Sequence, residues 1–504
     1  MEFIAESNFC FLLQAAGWRE IVLFNSFKFI LIFLPVTLIG YFLCARINRT
    51  LAYIFLSAAS FAFYSAWSFA YGVLLVVQLT ANYLIGYRLG IWRDSDSRAA
   101  RTLLTTAIVM NLGLLGYFKY TNFFLSTLGN ILDVRFVTLN IILPLAISFH
   151  TFQQIAFLVD EYRGKAARYT YLEYLLFVLF FPQLIAGPIV HHWQLIPQFQ
   201  KSAMRFDPGY FATGLTFFVF GLAKKVLVAD QLSGIADPVF DGALAETPGF
   251  IAAWIGTMAF GLGLYFDFSG YSDMAIGLAR MFGINLPYNF NSPYQSTSII
   301  DFWNRWHITL SHWLRDYLYI PLGGNRCGRI RRYVNLIATM LLGGLWHGAS
   351  WNFVVWGGLH GFYLIINHFW RNLRGHDAHV QSRFPAINWL ITLLAVSGAW
   401  VFFRSPTFAH SLIVLKAMVG QTYLAGVPLV PIPNSSLALL ILAGLIAFTL
   451  PNSQTIVDGL AQITPVRIVL RWRPSPLWAG GLAVLALFAA TRFNIVREFV
   501  YFQF

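Results

Sequence analysis

The sequence predicts an all-α polytopic membrane protein, and three observations carry that prediction. Hydrophobic residues make up 58% of the 504 and charged residues only 11%, where a soluble chain carries about 25% charged residues. Apolar runs near the ~20 residues that a bilayer demands recur along the chain. Many basic residues fall between these runs, where Lys and Arg set topology and meet anionic lipid. The formal charge of +13 is therefore read as a membrane signature with lipid as the partner, and nucleic-acid binding is set aside. The 49 Phe, 23 Tyr and 16 Trp suit interfacial belts and helix packing in lipid. Cys10, Cys44 and Cys327 have no CxxC spacing, so neither a disulfide framework nor a zinc site follows.

Residues 1–21 fit the rest poorly. They lack a clear basic n-region and cleavage site, and are read as a start placed too early, with the natural start near Val22, or as a short segment lying on the membrane. Residues 22–504 are read as one membrane domain. Spans are expected near 27–45, 51–67, 70–90, 102–118, 139–159, 171–188 and 209–229, then near 387–404, 436–451 and 476–491. The run 250–282 is too long for one straight span. The loops at 46–50, 88–101 and 160–170 are rich in Arg and Lys, and the positive-inside rule makes them cytoplasmic.

Between these groups lies the stretch on which function turns, Asp301 to His360. Apolar and aromatic residues dominate it, yet it holds Asp301, Arg305, His307, His312, Arg315, Asp316, His347 and His360 beside Trp303, Trp306, Trp346 and Trp351. Each ionisable group costs roughly 2.5–3.5 kcal/mol in a bilayer on insertion scales, so the cluster is read as a site. His307 sits in a segment that offers Ser311 and Arg315 at i+4 and i+8 on one helical face. His347 sits in GGLWHG, whose glycines allow close backbone approach. His360 is read as structural, and His150 as hydrogen-bonded. His191 and His192 are read as interfacial, His368 as lying at a helix end, and His376, His379 and His410 as solvated.

No HxxxH zinc spacing, GxSxG elbow, P-loop or dinucleotide fingerprint is present. No metal site and no bound cofactor are expected. What remains is a general base deep in the membrane, working on a hydroxyl and an already activated donor. The run 326–332 supplies Arg326, Arg329, Arg331 and Arg332, read either as a topology signal or as contacts to the phosphates of a coenzyme.

Seven stretches carry a resemblance: FNSFKFILIFLPV at 24–36, FPQLIAGPI at 181–189, GLAKKVLVAD at 221–230, YFDFSGYSDMAIG at 265–277, FWNRWHITLSHWLRDYLYIPLGGNR at 302–326, LLGGLWHG at 341–348 and FVYFQF at 499–504. Together and in this order they resemble the membrane-bound O-acyltransferase family, in its bacterial branch typified by alginate O-acetyltransferase. The resemblance implies a ring of transmembrane helices around a thinned catalytic centre with re-entrant segments. It implies His307 and His347 as the functional pair, acetyl-coenzyme A as donor, and an exported polysaccharide as acceptor. It also implies a bacterial inner-membrane location, a periplasmic esterase-fold acetyltransferase as partner, and polysaccharide export machinery nearby.

On that reading His347 is the base, and His307 binds or orients a substrate or shares the proton. Asn304, Arg305 and Trp306 are candidate oxyanion donors, and Trp346 orients substrate beside them. Asp267, Ser269, Asp273, Lys224 and Lys225 form a structural polar core. Peptidoglycan or another surface glycan as acceptor, a transporter, and an inactive scaffold subunit are the alternatives.

Overall fold

The computed structural model describes residues 23–201, 204–241, 248–373, 384–421, 433–459, 471–493, 497, 499 and 500. The extension read over 1–21, together with His376 and His379, lies outside them. Among the described residues every regular element is helical. Helix α1 runs Phe29–Ile47. Asn48 caps α2, Arg49–Ser65, by accepting from the Leu51 amide at 2.7 Å. Then come α3, Phe69–Ser95, and α4, Ser97–Leu132, separated only by Asp96, whose carboxylate caps α4. Helix α5 is Ile147–Tyr162, and a Thr170–Glu173 capping box starts α6, Tyr171–Leu179. Helix α7 is His192–Lys201, α8 Pro208–Phe240 and α9 Phe250–Met281. Helices α10, Ile299–Arg305, and α11, Ile308–Leu314, are short. Helices α12, Arg329–His347, and α13, Trp351–Leu373, follow. The remainder are α14, Pro385–Arg404, α15, Phe408–Met418, α16, Asn434–Thr449, α17, Ser453–Asp458, and α18, Pro476–Ala490.

Six of the described helices, α1, α3, α4, α8, α9 and α14, are long and apolar enough to cross a membrane. Two expected spans, 139–159 and 171–188, are corrected, the first because α5 starts only at Ile147. The apolar run 171–188 is not one helix: α6 stops at Leu179, and a single turn, Phe181–Leu184, follows with Pro182 inside it. Proline lacks an amide hydrogen, which denies the ladder a donor there. Residues 180–192 are all buried, as irregular backbone at membrane depth must be. The run 250–282, read as too long for one straight span, forms one unbroken helix of 32 residues. At 1.5 Å per residue it is about 48 Å long, so it tilts or projects from a hydrocarbon layer of about 30 Å.

The chain sorts into two compact units, one holding residues up to Val219 with Ser272–Pro287 and Leu482–Glu498, the other Phe220–Tyr271, Tyr288–Gly481 and Phe499–Phe504. In the first unit a ladder of buried amides ties α3, α4 and α5. Asn82 Nδ2 donates to Gln154 Oε1 at 2.6 Å, Asn111 Nδ2 donates to Asn82 Oδ1 at 2.7 Å, and Gln78 Nε2 donates to Asn111 Oδ1 at 3.0 Å. His150 joins it through Gln154 at 3.3 Å, the hydrogen-bonded role expected for it. His192 is not interfacial: it is buried, 3.2 Å from the Asp160 carboxylate and 3.1 Å from the Tyr169 hydroxyl.

In the second unit α12 and α13 pack closely against each other. A Cβ on Gly357 would overlap the Met340 carbonyl, and one on Gly344 would overlap that of Phe353. Small residues let membrane helices approach closely, since lipid supplies no hydrophobic drive to hold them together. Gly357→Ala is expected to lower stability by about 1–3 kcal/mol, read as earlier thermal unfolding in detergent. An unchanged midpoint would show that the helices are not packed this closely. His410, read as solvated, is buried instead and packs on the Phe240 ring.

Candidate functional site

The candidate site lies entirely in the second unit. Residues 301–319 do not make one continuous helix. Trp306 is extended, and His307 sits in the left-handed region at φ 43° and ψ 54° between α10 and α11. A non-glycine residue there is strained by about 1–3 kcal/mol, and such strain gathers at functional sites. The segment 289–291 holds the break in place. Ile308 N donates to Asn289 O at 3.0 Å, Thr309 Oγ1 donates to Asn289 Oδ1 at 2.9 Å, and Asn291 N donates to Arg305 O at 2.9 Å. The expected face of His307, Ser311 and Arg315 is therefore corrected: His307 precedes α11, which carries Ser311, and Arg315 opens the π turn that follows it.

His347 is the last residue of α12, where Gly348 turns the chain to extended backbone. A Cβ on Gly348 would overlap the Phe353 ring. That ring packs against Phe403, centroids 4.9 Å apart, and Phe403 packs against His347 at 5.4 Å. The glycine thus sets the wall behind the imidazole.

The two imidazoles lie 6.4 Å apart, centroid to centroid. His307 is 0% exposed and His347 3%. Phe268 faces His307 at 4.7 Å, while Trp346 and Trp356 each lie 5.0 Å from His347. Trp306 is buried and packs on Trp400 at 5.0 Å.

Of the eight ionisable residues named in 301–360, only His307, His347 and His360 are buried. Arg305 pairs with Asp301 at 2.8 Å and also donates to the Asn291 carbonyl, and Arg315 pairs with Asp316 at 2.7 Å. His312 and Asn304 are exposed. As oxyanion donors Asn304 and Arg305 are thus poorly placed, one turned to the surface and the other bound to a carboxylate. Trp351 is 55% exposed. Trp356 and Phe403 wall the site, and the sequence reading missed both. For Trp356 a signal existed, since it shares an i,i+4 face of α13 with His360.

The arginine run splits. Arg326, Arg329 and Arg331 are exposed, while Arg332 reaches His368 Nδ1 at 2.9 Å. In the polar core Lys225 Nζ lies 2.8 Å from both Asp230 and Asp267, and Lys224 Nζ donates to Ser453 at 2.6 Å. Ser269 is buried, as is Asp273 in the first unit. Asp230 was not singled out from the sequence. It faces Lys225 because residues 224–229 form a π turn, whose i→i+5 bonds bring positions 225 and 230 together.

Comparison with known proteins gives the chemistry a family. The model of the membrane-bound O-acyltransferase family matches residues 102–404. A peptidoglycan O-acetyltransferase of Helicobacter pylori is 43% identical over 428 residues, covering 79% of this chain and 80% of that one. Proteins named "Probable alginate O-acetylase AlgI" are 42% identical in Pseudomonas aeruginosa, over 79% of this chain and 75% of that one, and 39% identical in Azotobacter vinelandii, over 96% of this chain and all of that one. The matched range contains both imidazoles, the strained break and the glycine-packed helix pair. The chain belongs to the membrane-bound O-acyltransferase family, and is an all-helical, multi-pass membrane acyltransferase.

Proposed function

We propose that the protein is an inner-membrane O-acetyltransferase that takes an acetyl group from acetyl-coenzyme A on the cytoplasmic side and passes it outward for O-acetylation of an exported polysaccharide. The observation that carries the reading is the pair of buried imidazoles 6.4 Å apart in an aromatic shell. A single hydroxyl bonded to both rings at about 2.6–3.2 Å would hold the two nitrogens about 4–5 Å apart, a spacing that ring centroids 6.4 Å apart allow.

In the step proposed, His347 takes the proton of the attacking hydroxyl as its oxygen bonds to the thioester carbonyl carbon. The tetrahedral intermediate collapses, the C–S bond breaks, and His347 returns the proton to the leaving thiolate. An acetyl ester and free coenzyme thiol result. His307 holds the hydroxyl or the carbonyl in line. Because both rings are enclosed, turnover requires neighbouring aromatic rings to swing aside, and the closed shell keeps water from the thioester. Exposed Arg326, Arg329 and Arg331 suit the coenzyme phosphates.

Names among the relatives support alginate as acceptor, and the Helicobacter pylori relative supports peptidoglycan as the second reading. A periplasmic esterase-fold acetyltransferase and the export machinery are the partners proposed to finish the transfer. The test is reconstitution in lipid nanodiscs with labelled acetyl-coenzyme A and either alginate or peptidoglycan, with and without such a periplasmic protein. Label in alginate supports the first reading and label in peptidoglycan the second. Label in neither, with the protein folded and the periplasmic protein present, overturns the proposal.

A further inference from the structure

Beside His347, helices α10 and α13 carry a second set of polar ring atoms that the two-imidazole reading leaves unused. His360 is 0% exposed and Trp356 1%. Trp303 projects from α10, while Trp356 and His360 share an i,i+4 face of α13. The three rings form a triangle with centroids 4.9 Å apart for Trp356 and His360, 5.2 Å for Trp303 and His360, and 5.9 Å for Trp303 and Trp356. Phe302 stacks on the remaining face of His360 at 6.0 Å and 13°.

On these three rings four buried nitrogens, Nε1 of Trp303, Nε1 of Trp356, and both ring nitrogens of His360, have no hydrogen-bond partner among the described residues. Buried polar groups are nearly always satisfied, and a set of orphans on mutually touching rings asks for an occupant. The donor set also defines that occupant. Two indoles can only donate, and a neutral imidazole offers one donor and one acceptor. Such a set suits an uncharged oxygen, a carbonyl or a hydroxyl. It offers a cation little, since three of its four hydrogen-bonding positions present hydrogen.

We infer that Trp303, Trp356 and His360 form a binding site for an oxygen of a reacting substrate, set one indole away from the imidazole of His347. This rests on the acyl-transfer reading above and deepens it. Asn304 is turned to the surface and Arg305 is bound to a carboxylate, and the triangle supplies the donors that they do not. Trp356 touches both His347, at 5.0 Å, and His360, at 4.9 Å, so an oxygen held by the triangle is held in register with the base. Two substrates offer that chemistry: the thioester carbonyl of the acyl donor and a hydroxyl of the glycan acceptor.

The experiment uses the full chain in nanodiscs with ¹⁵N-labelled tryptophan, carrying His347→Ala to stop turnover. The two indole signals are assigned by their disappearance in Trp303→Phe and Trp356→Phe. Acetyl-coenzyme A and alginate oligomers are added separately. Both indole N–H signals are expected to move downfield on saturation with one of the two, and which one names the source of the oxygen. In parallel, Trp303→Phe, Trp356→Phe and His360→Leu in the otherwise wild-type protein are expected to raise KM for that same substrate by about three- to tenfold each. His360→Gln, which keeps a donor and an acceptor, should recover most of the loss.

Indole signals that stay fixed with both ligands bound, alongside unchanged KM values, mean that the rings are satisfied by water or by each other's π faces, and overturn the inference. Wild-type transfer with fixed indoles sinks the triangle and leaves the acyl-transfer reading standing. Moving indoles with no transfer to any acceptor sinks that reading and leaves the binding site.

Discussion

His347→Ala is expected to lower acetyl transfer by about 10²–10⁴-fold, the usual contribution of a positioned general base. The loss should fall on kcat, with KM for acetyl-coenzyme A little changed, because the base acts only as the hydroxyl attacks. His347→Gln should lose nearly as much. A glutamine amide fills similar space and can hydrogen-bond, but it cannot accept and return a proton. The pair of variants matters because His347 is packed against Trp346, Trp356 and Phe403, and alanine leaves a void there. Glutamine limits that damage, so a shared loss in a protein with a wild-type melting profile points to the proton and not to packing. A Gln variant that keeps more than about a tenth of the wild-type rate would remove His347 from the base role. His307→Ala, if His307 orients substrate, should raise a KM as well as lower kcat.

Much of the architecture could be read from residue order because bilayer physics leaves few options. Apolar runs of the right length became α1, α3 and α14 within a few residues, while α4 and α8 start where expected but run well past the expected ends, to Leu132 and Phe240. Where the reading failed, a local backbone event had overridden hydropathy. Pro182 stopped α6 short although most residues around it are apolar enough to continue. Trp306 and His307 broke what helical periodicity would join, and the cause lies in Asn289, eighteen residues upstream of His307 in sequence, whose side chain and carbonyl hold the far side of the break.

The candidate site divides in the same way. GGLWHG announced His347 because its glycines are visible in sequence, and the structure gives each a close neighbour. The imidazole pairing across 6.4 Å, by contrast, depends on α12 returning to the α10–α11 break, which no local spacing encodes. Charge counting misled as well. Asp301 with Arg305, and Arg315 with Asp316, look costly in an apolar run, yet they pair with each other at partly exposed positions. The groups that are fully enclosed are imidazoles, which can be buried neutral. Asp230 escaped notice because a position five residues from Lys225 points away on an α-helix and toward it only on a π turn.

That π turn sets up the second large effect. Lys225→Met is expected to cost about 3–5 kcal/mol, the usual penalty for removing one partner from a buried ionic group. Lys225 is 4% exposed, and its ammonium lies 2.8 Å from both Asp230, 5% exposed, and Asp267, 1% exposed. Without it two carboxylates share one enclosed space and repel each other. Asp267 also accepts from the Val500 amide at 2.9 Å, so the penalty reaches the chain near its C-terminal end as well as α8 and α9. The measurement is the yield of folded protein from membranes and its melting profile in detergent, where the single variant should be scarce and melt early. Asp230→Asn and Asp267→Asn added to Lys225→Met remove the stranded charges and should recover most of the loss, because a neutral buried set need not be weaker than an ionic one. Lys224→Met gives up a hydrogen bond to Ser453, and loss of that bond should cost about 1 kcal/mol. A Lys225→Met protein as abundant and as stable as wild type would mean that the two carboxylates are not held as anions, and the triad would have to be redrawn as a neutral hydrogen-bonded cluster.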